Sequence, residues 1–143
     1  MSLDEFHPDT TQNPARYGRT WEVRLPWTKP PLSLTDRGHW AVKAKRTREV
    51  RDAAHFAVLF DDDHTLRGIV LDRASITLTY VPRDARRRDR TNLVATYKAC
   101  VDGCIDAQVL PDDSPQYLIE HMPVILPPDG DPRLVLTIRE VLP

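Results

Sequence analysis

Three consecutive arginines, Arg86 to Arg88, stand directly before Asp89 in the segment "RRRDRTNLVATYK", residues 86–98. Guanidinium groups hold phosphate oxygens in pairs, and carboxylates are the usual ligands of hard divalent cations. Metal-dependent cleavage of a phosphodiester needs both. Oxygen ligands hold Mg²⁺, which activates water, while a positive group neutralises charge on the scissile phosphate. Asp89, with Asp112 and Asp113 of "LPDD" further along, supplies candidate ligands, and Lys98 a candidate phosphate contact. Taken singly, each feature has a plainer account: a basic loop is usually solvated, and an acid pair after a proline is common in surface turns.

These residues need elements that hold them. Alternation of Trp21, Val23 and Leu25 with charged residues predicts a strand over 21–27 that ends at Pro26, and residues 1–20 read as a flexible arm. Pro30 and Pro31 exclude a helix from the next stretch, which reads as an exposed loop carrying Lys29, Arg37 and Trp40. A helix is expected over 40–60, with Val42, Val50, Ala53, Ala54, Ala57 and Val58 near one face and Lys43, Lys45 and Arg46 able to meet phosphate. Ile76, Leu78 and Tyr80 define a strand within 73–84, so the arginines leave its end. Leu93, Tyr97, Cys100, Val101 and Cys104 recur at helical spacing over 92–107, with Thr91 as the N-cap and Lys98 within reach of Asp102. Two apolar segments, 117–126 and 133–142, read as an antiparallel hairpin across a proline-rich turn.

The order is β-α-β-α-β-β, an α+β domain over 21–143 with a mixed sheet packed against two helices. The second helix spans roughly 20 to 24 Å at about 1.5 Å per residue. An extended return through "QVLPDD" covers a similar distance, which is the basis for expecting Asp113 beside Asp89 at the helix N-terminus, where the helix dipole also favours phosphate.

A net charge of -1 argues against a polyanion partner only if charge is spread evenly, and it is not. Of 20 Lys and Arg, six fall between Arg37 and Arg51 and six between Arg83 and Lys98. No window is apolar enough to span a membrane, and the N-terminus lacks the apolar segment of a signal peptide, so a cytoplasmic protein with reduced thiols is expected. The two cysteines, Cys100 and Cys104, lie one helical turn apart without further zinc ligands and read as small core residues. The scattered histidines have no ligand spacing.

"RRRDRTNL" followed by "KACVDGCIDAQVLPDD" resembles the RusA family of Holliday junction resolvases, typical of phages and prophages. That family carries Asp-x-Asp-Asn-Leu after an arginine-rich strand end, then a lysine, an aspartate four residues later and an Asp-Asp pair. Asp89, Asn92, Leu93, Lys98, Asp102, Asp112 and Asp113 match these positions, and "LPW" at 25–27 resembles the family's N-terminal strand. The resemblance implies a RusA-like fold and a homodimeric endonuclease, dependent on Mg²⁺ with Mn²⁺ as a substitute, that resolves four-way DNA by paired nicks. It implies Asp89, Asp113 and Lys98 as catalytic, Asp89, Asp112 and Asp113 as metal ligands, and Arg86, Arg87, Arg88 and Arg90 as DNA-binding. Two departures stand out. Three extra residues separate Asn92 from Lys98, close to one helical turn. Thr91 stands where the family has its second aspartate, so the alternative is a relative that binds junctions and cuts them weakly or not at all.

Overall fold

The computed structural model describes residues 15–33, 38–60 and 66–143. Five strands, β1 (Arg16–Arg24), β2 (Ala74–Val81), β3 (Leu118–Glu120), β4 (Val124–Ile125) and β5 (Arg133–Leu142), alternate with helices α1 (Trp40–Leu59) and α2 (Val94–Asp106). The fold is α+β with one mixed sheet in the order β1-β5-β2-β3, β4 also pairing with β2. β5 is central: Leu134, Leu136 and Ile138 are fully buried at alternate positions, and both its neighbours run antiparallel to it.

β2 is the other axis of the sheet. Ile76 and Leu78 are fully buried at alternate positions, as on β5. Tyr97 of α2 donates its hydroxyl to the Ile76 carbonyl at 2.8 Å, which fixes the helix over the strand. α2 then meets α1 at Gly103. A Cβ there would lie 2.7 Å from the Arg51 carbonyl oxygen and 2.9 Å from the Ala54 Cβ and the His55 nitrogen, so only glycine lets the two backbones approach this closely. Arg51 clamps the same contact with a paired bond to Asp106, at 2.6 and 2.7 Å. Cys100 and Cys104 are buried free thiols in the core, and burial pushes Cys104 up to about 12.

Four expectations need correction. The strand expected at 21–27 begins at Arg16, so residues 16–20 belong to the sheet rather than to an arm. Their side chains are largely exposed and carry no apolar alternation. They are held by pairing with β5, by the Arg19 fork on Glu140, and by Arg139 stacked 3.6 Å from the Tyr17 ring centre. The rest of the expected arm lies outside the described residues. Second, segments 117–126 and 133–142 form no hairpin with each other. Pro123 interrupts the first of them, its two short strands join β2 in parallel, and β5 takes the place between β1 and β2. Third, Val42 faces solvent at 57% exposure, because the residues of α1 from Trp40 to Glu49 extend past the core and only Val50, Ala54 and Val58 are buried. Last, the proline loop is pinned as well as exposed. Leu32 is buried, and both its backbone N–H and its carbonyl bond the Thr96 hydroxyl, at 3.3 and 3.1 Å. Arg37 of that loop and the acidic run Asp61 to Asp63 lie outside the described residues.

Gly103→Ala is expected to destabilise the domain by about 1 to 3 kcal/mol, since a backbone carbonyl rather than a flexible side-chain end must give way. Urea unfolding measures this; an unchanged midpoint would show that α1 and α2 can separate freely.

Candidate functional site

Strand β2 ends at Val81, and the chain turns through Pro82 into the arginine segment before α2 begins. Asp84 organises that turn. Its carboxylate accepts from the Arg86 backbone N–H at 3.2 Å and from the Arg88 guanidinium at 2.8 Å, with Arg83 and Arg86 side chains within 4 Å. Arg88 also donates to the carbonyls of Asp84 and Arg86, at 2.7 and 2.9 Å, and lies against Tyr80. Its side chain is only 17% exposed. Arg88, expected to hold DNA, therefore spends its donors on the loop. Arg86, Arg87 and Arg90 face solvent and remain the groups that can meet a phosphate.

Asp89 follows. The helical segment opens with a single turn, Arg90–Leu93, and Asp89 is its N-cap: the carboxylate accepts from the Thr91 backbone N–H at 2.9 Å. Thr91, expected to be the cap, is instead the capped residue. This bond and one from the Thr91 hydroxyl hold the Asp89 carboxyl below its ordinary range, with the charges of Arg87 and Arg90 acting in the same direction. Asp89 is ionised at neutral pH, at the positive end of the helical segment. Two adjoining depressions of about 510 and 380 Å³ share Arg87, Arg88, Asp89 and Ile125 in their walls. Lys29 and Ser33 from the proline loop line the smaller, and Val124 closes the larger. The result is an open cleft with guanidinium walls around one ionised carboxylate, a shape and charge suited to a phosphate chain.

The other expected site residues lie elsewhere. The Leu71 N–H bonds the Val109 carbonyl at 2.7 Å and the Ala74 N–H bonds the Tyr117 carbonyl at 2.9 Å. Residues 110–116 are thereby anchored where β2 begins, whereas Asp89 follows the end of β2, a strand of about 25 Å. The return through "QVLPDD" stops at the side of α2: Asp113 raises the Asp102 carboxyl by its charge, together with Asp106, although burial is the larger cause. Among the described residues no three His, Cys, Asp or Glu side chains come together in a way that could hold a metal ion. Contrary to expectation, the structure does not bring Asp112 and Asp113 to Asp89. Lys98 pairs with Glu120 of β3 at 3.3 Å rather than with Asp102. Lys43, Lys45 and Arg46 ride on the exposed half of α1.

Sequence reasoning missed Asp84 and Glu120. The signal for Asp84 was present, an aspartate two and four residues ahead of Arg86 and Arg88, the spacing of a side-chain turn. Glu120 had none, because its pairing depends on β3 lying beside β2. Among the histidines, His39 caps α1 by accepting from the Ala41 N–H, and His121 bonds the buried Ser75 hydroxyl at 2.7 Å, so both serve structure. Trp40, at the start of α1, is 75% exposed. Among the described residues no helix is long and apolar enough to cross a membrane. No protein-family model matches the chain, and no curated protein matches it.

Asp84 supplies a pH test. Its carboxyl is lowered from 3.8, chiefly by the Arg88 bond, so its stabilisation is complete above that value and is lost as pH falls through the lower folded-state value. Asp84→Asn is expected to lower the melting temperature at neutral pH and to lower it less in acid, well below 3.8. Equal losses at both pH values would refute the ionic role.

Proposed function

We propose that the protein is a RusA-like DNA-processing enzyme, an endonuclease that acts on four-way DNA as a homodimer and nicks it in pairs. The observation that carries this reading is the cleft in which Arg86, Arg87 and Arg90 surround an ionised Asp89 at a helix start. Exposed guanidinium groups neutralise backbone phosphates, and a row of them at a concave surface gives affinity without base readout, as recognition by DNA shape demands. Lys29 and Ser33 extend the cleft across the proline loop, so one strand could be gripped from two sides. The resemblance of "RRRDRTNL" and "LPDD" to the family supplies the junction as substrate and phosphodiester hydrolysis as the reaction. A cytoplasmic site of action accords with such a role.

Mg²⁺ belongs to the family's chemistry, but no step can be routed here through an ion shared by Asp89, Asp112 and Asp113, which the chain holds apart. A second reading therefore has its own support: a protein that grips junctions without cutting them. Thr91 favours it, because a neutral hydroxyl stands where the resemblance calls for a carboxylate and is already bonded to Asp89.

A labelled four-way junction, with Mg²⁺, with Mn²⁺ or with chelator, separates the readings. Asp89→Asn is the informative variant, since asparagine still caps the helical segment while the charge is lost. Metal-dependent paired nicks that fall by about 100-fold or more in Asp89→Asn support cleavage. Salt-sensitive junction binding without nicks, weakened by roughly tenfold in Arg87→Glu, supports the second reading. Equal affinity for junction and linear duplex would exclude both.

A further inference from the structure

Helix α1 buries Val50, Ala54 and Val58 on one side. On the opposite side, Val42, Lys45, Glu49, Asp52, Phe56 and Phe60 follow one another by three or four residues and are all exposed. Val42, Phe56 and Phe60 are 57%, 64% and 43% exposed, and Trp40 at the helix start 75%. Phe56 and Phe60 stack with ring centres 4.7 Å apart, and Arg67 covers part of Phe60. Among the described residues these aromatic rings stay largely uncovered at both ends of the helix.

We propose that this face of α1 is an isologous interface, packed antiparallel against α1 of a second copy of the chain. The order along the stripe is apolar, basic, acidic, apolar, which is self-complementary in only one sense. Positions 45 and 52 lie symmetrically about the bond between Arg48 and Glu49, as do 41 and 56. With the twofold axis at that point, Lys45 faces the partner's Asp52 and Arg48 faces the partner's Glu49. Phe56 then enters the space between Trp40 and Val42 of the partner subunit. A parallel arrangement would set Lys45 on Lys45 and Glu49 on Glu49. A closed twofold contact of this kind satisfies both copies at once and leaves no open end.

Area and charge agree with this occupant. At about 150 to 250 Å² per aromatic side chain, the exposed fractions amount to roughly 400 Å² of apolar surface per copy. A stable interface removes about 800 Å² per partner, a little over half of it apolar. A DNA backbone suits the stripe less well, because Glu49 and Asp52 occupy its centre. Lys45 accordingly leaves the set of expected DNA contacts, while Lys43 and Arg46 lie off the stripe. The inference rests on the homodimer of the proposed function and places its interface, and a dimer indifferent to Phe56→Glu would sink the placement while leaving that reading standing.

Sedimentation velocity of the full chain across a concentration series at physiological salt tests it. The wild type is expected to dimerise. Phe56→Glu, Lys45→Glu and Asp52→Lys should each weaken the dimer by roughly tenfold or more, and Lys45→Glu with Asp52→Lys in one chain should recover most of the loss. These side chains are exposed, so the monomer's circular dichroism and melting should hold. A wild type that stays monomeric, a dimer indifferent to Phe56→Glu, or a double variant no better than its parents would overturn the proposal. So would a monomer in which DNA, rather than a second copy, protects Phe56 and Lys45 from labelling.

Discussion

The approach of α1 to α2 at Gly103 is the constraint on which the rest of the molecule depends. With carbonyl and amide atoms of α1 under 3 Å from where a Cβ would stand, the distance between the helices is set by backbone, not by adjustable side chains. The Arg51 fork on Asp106 sets their rotation. Tyr97 fixes the height of α2 over β2. Once α2 is placed in this way, its first turn must lie beside the end of β2, and the arginine segment between them has little freedom. The cleft is the consequence of a helix contact made at its far side. The same contact leaves the outer side of α1 uncovered among the described residues, because α1 gives the core only the stripe that α2 and the sheet can reach.

Much of this arrangement was legible in the chain. Alternation at Ile76, Leu78 and Tyr80 and the helical recurrence of Leu93, Tyr97, Cys100 and Cys104 located β2 and α2 because each buries a single regular face. The failures share a cause. Residues 16–20 join the sheet through backbone bonds and ion pairs with β5, and such bonds leave no apolar period to read. The parallel placement of β3 and β4 is a choice among partners that only the whole sheet can decide, since segment 117–126 would serve as well in a hairpin. Val42 fits the helical period of α1 but lies beyond the point at which the core ends.

The site followed the same division. Proximity along the chain, as between Asp84, Arg88 and Asp89, was readable, and the cleft lies where the arginines pointed. Proximity across the fold was not. The expected return of Asp113 to Asp89 was compatible with length alone, yet two hydrogen bonds, from Leu71 and from Ala74, anchor the connecting segment at the wrong end of β2. A distance that the chain can span is only an upper bound, and the sheet decides whether it is spanned.

The balance of charge at Asp89 turns on Thr91. A second carboxylate at that position would stand two residues from Asp89, and like charges so near raise one another's pKa unless a cation lies between them. Threonine reverses the sign of that interaction. Its backbone N–H and hydroxyl both donate to Asp89, so the carboxylate is stabilised by the chain itself, with Arg87 and Arg90 adding to the effect. An ion approaching Asp89 must compete with these donors and with the surrounding guanidinium groups, and a phosphate finds the arginines as partners while Asp89 itself repels it. The chain's own donors thus already take up part of the carboxylate's capacity, and the exposed arginines beside it are the groups left open to an anion.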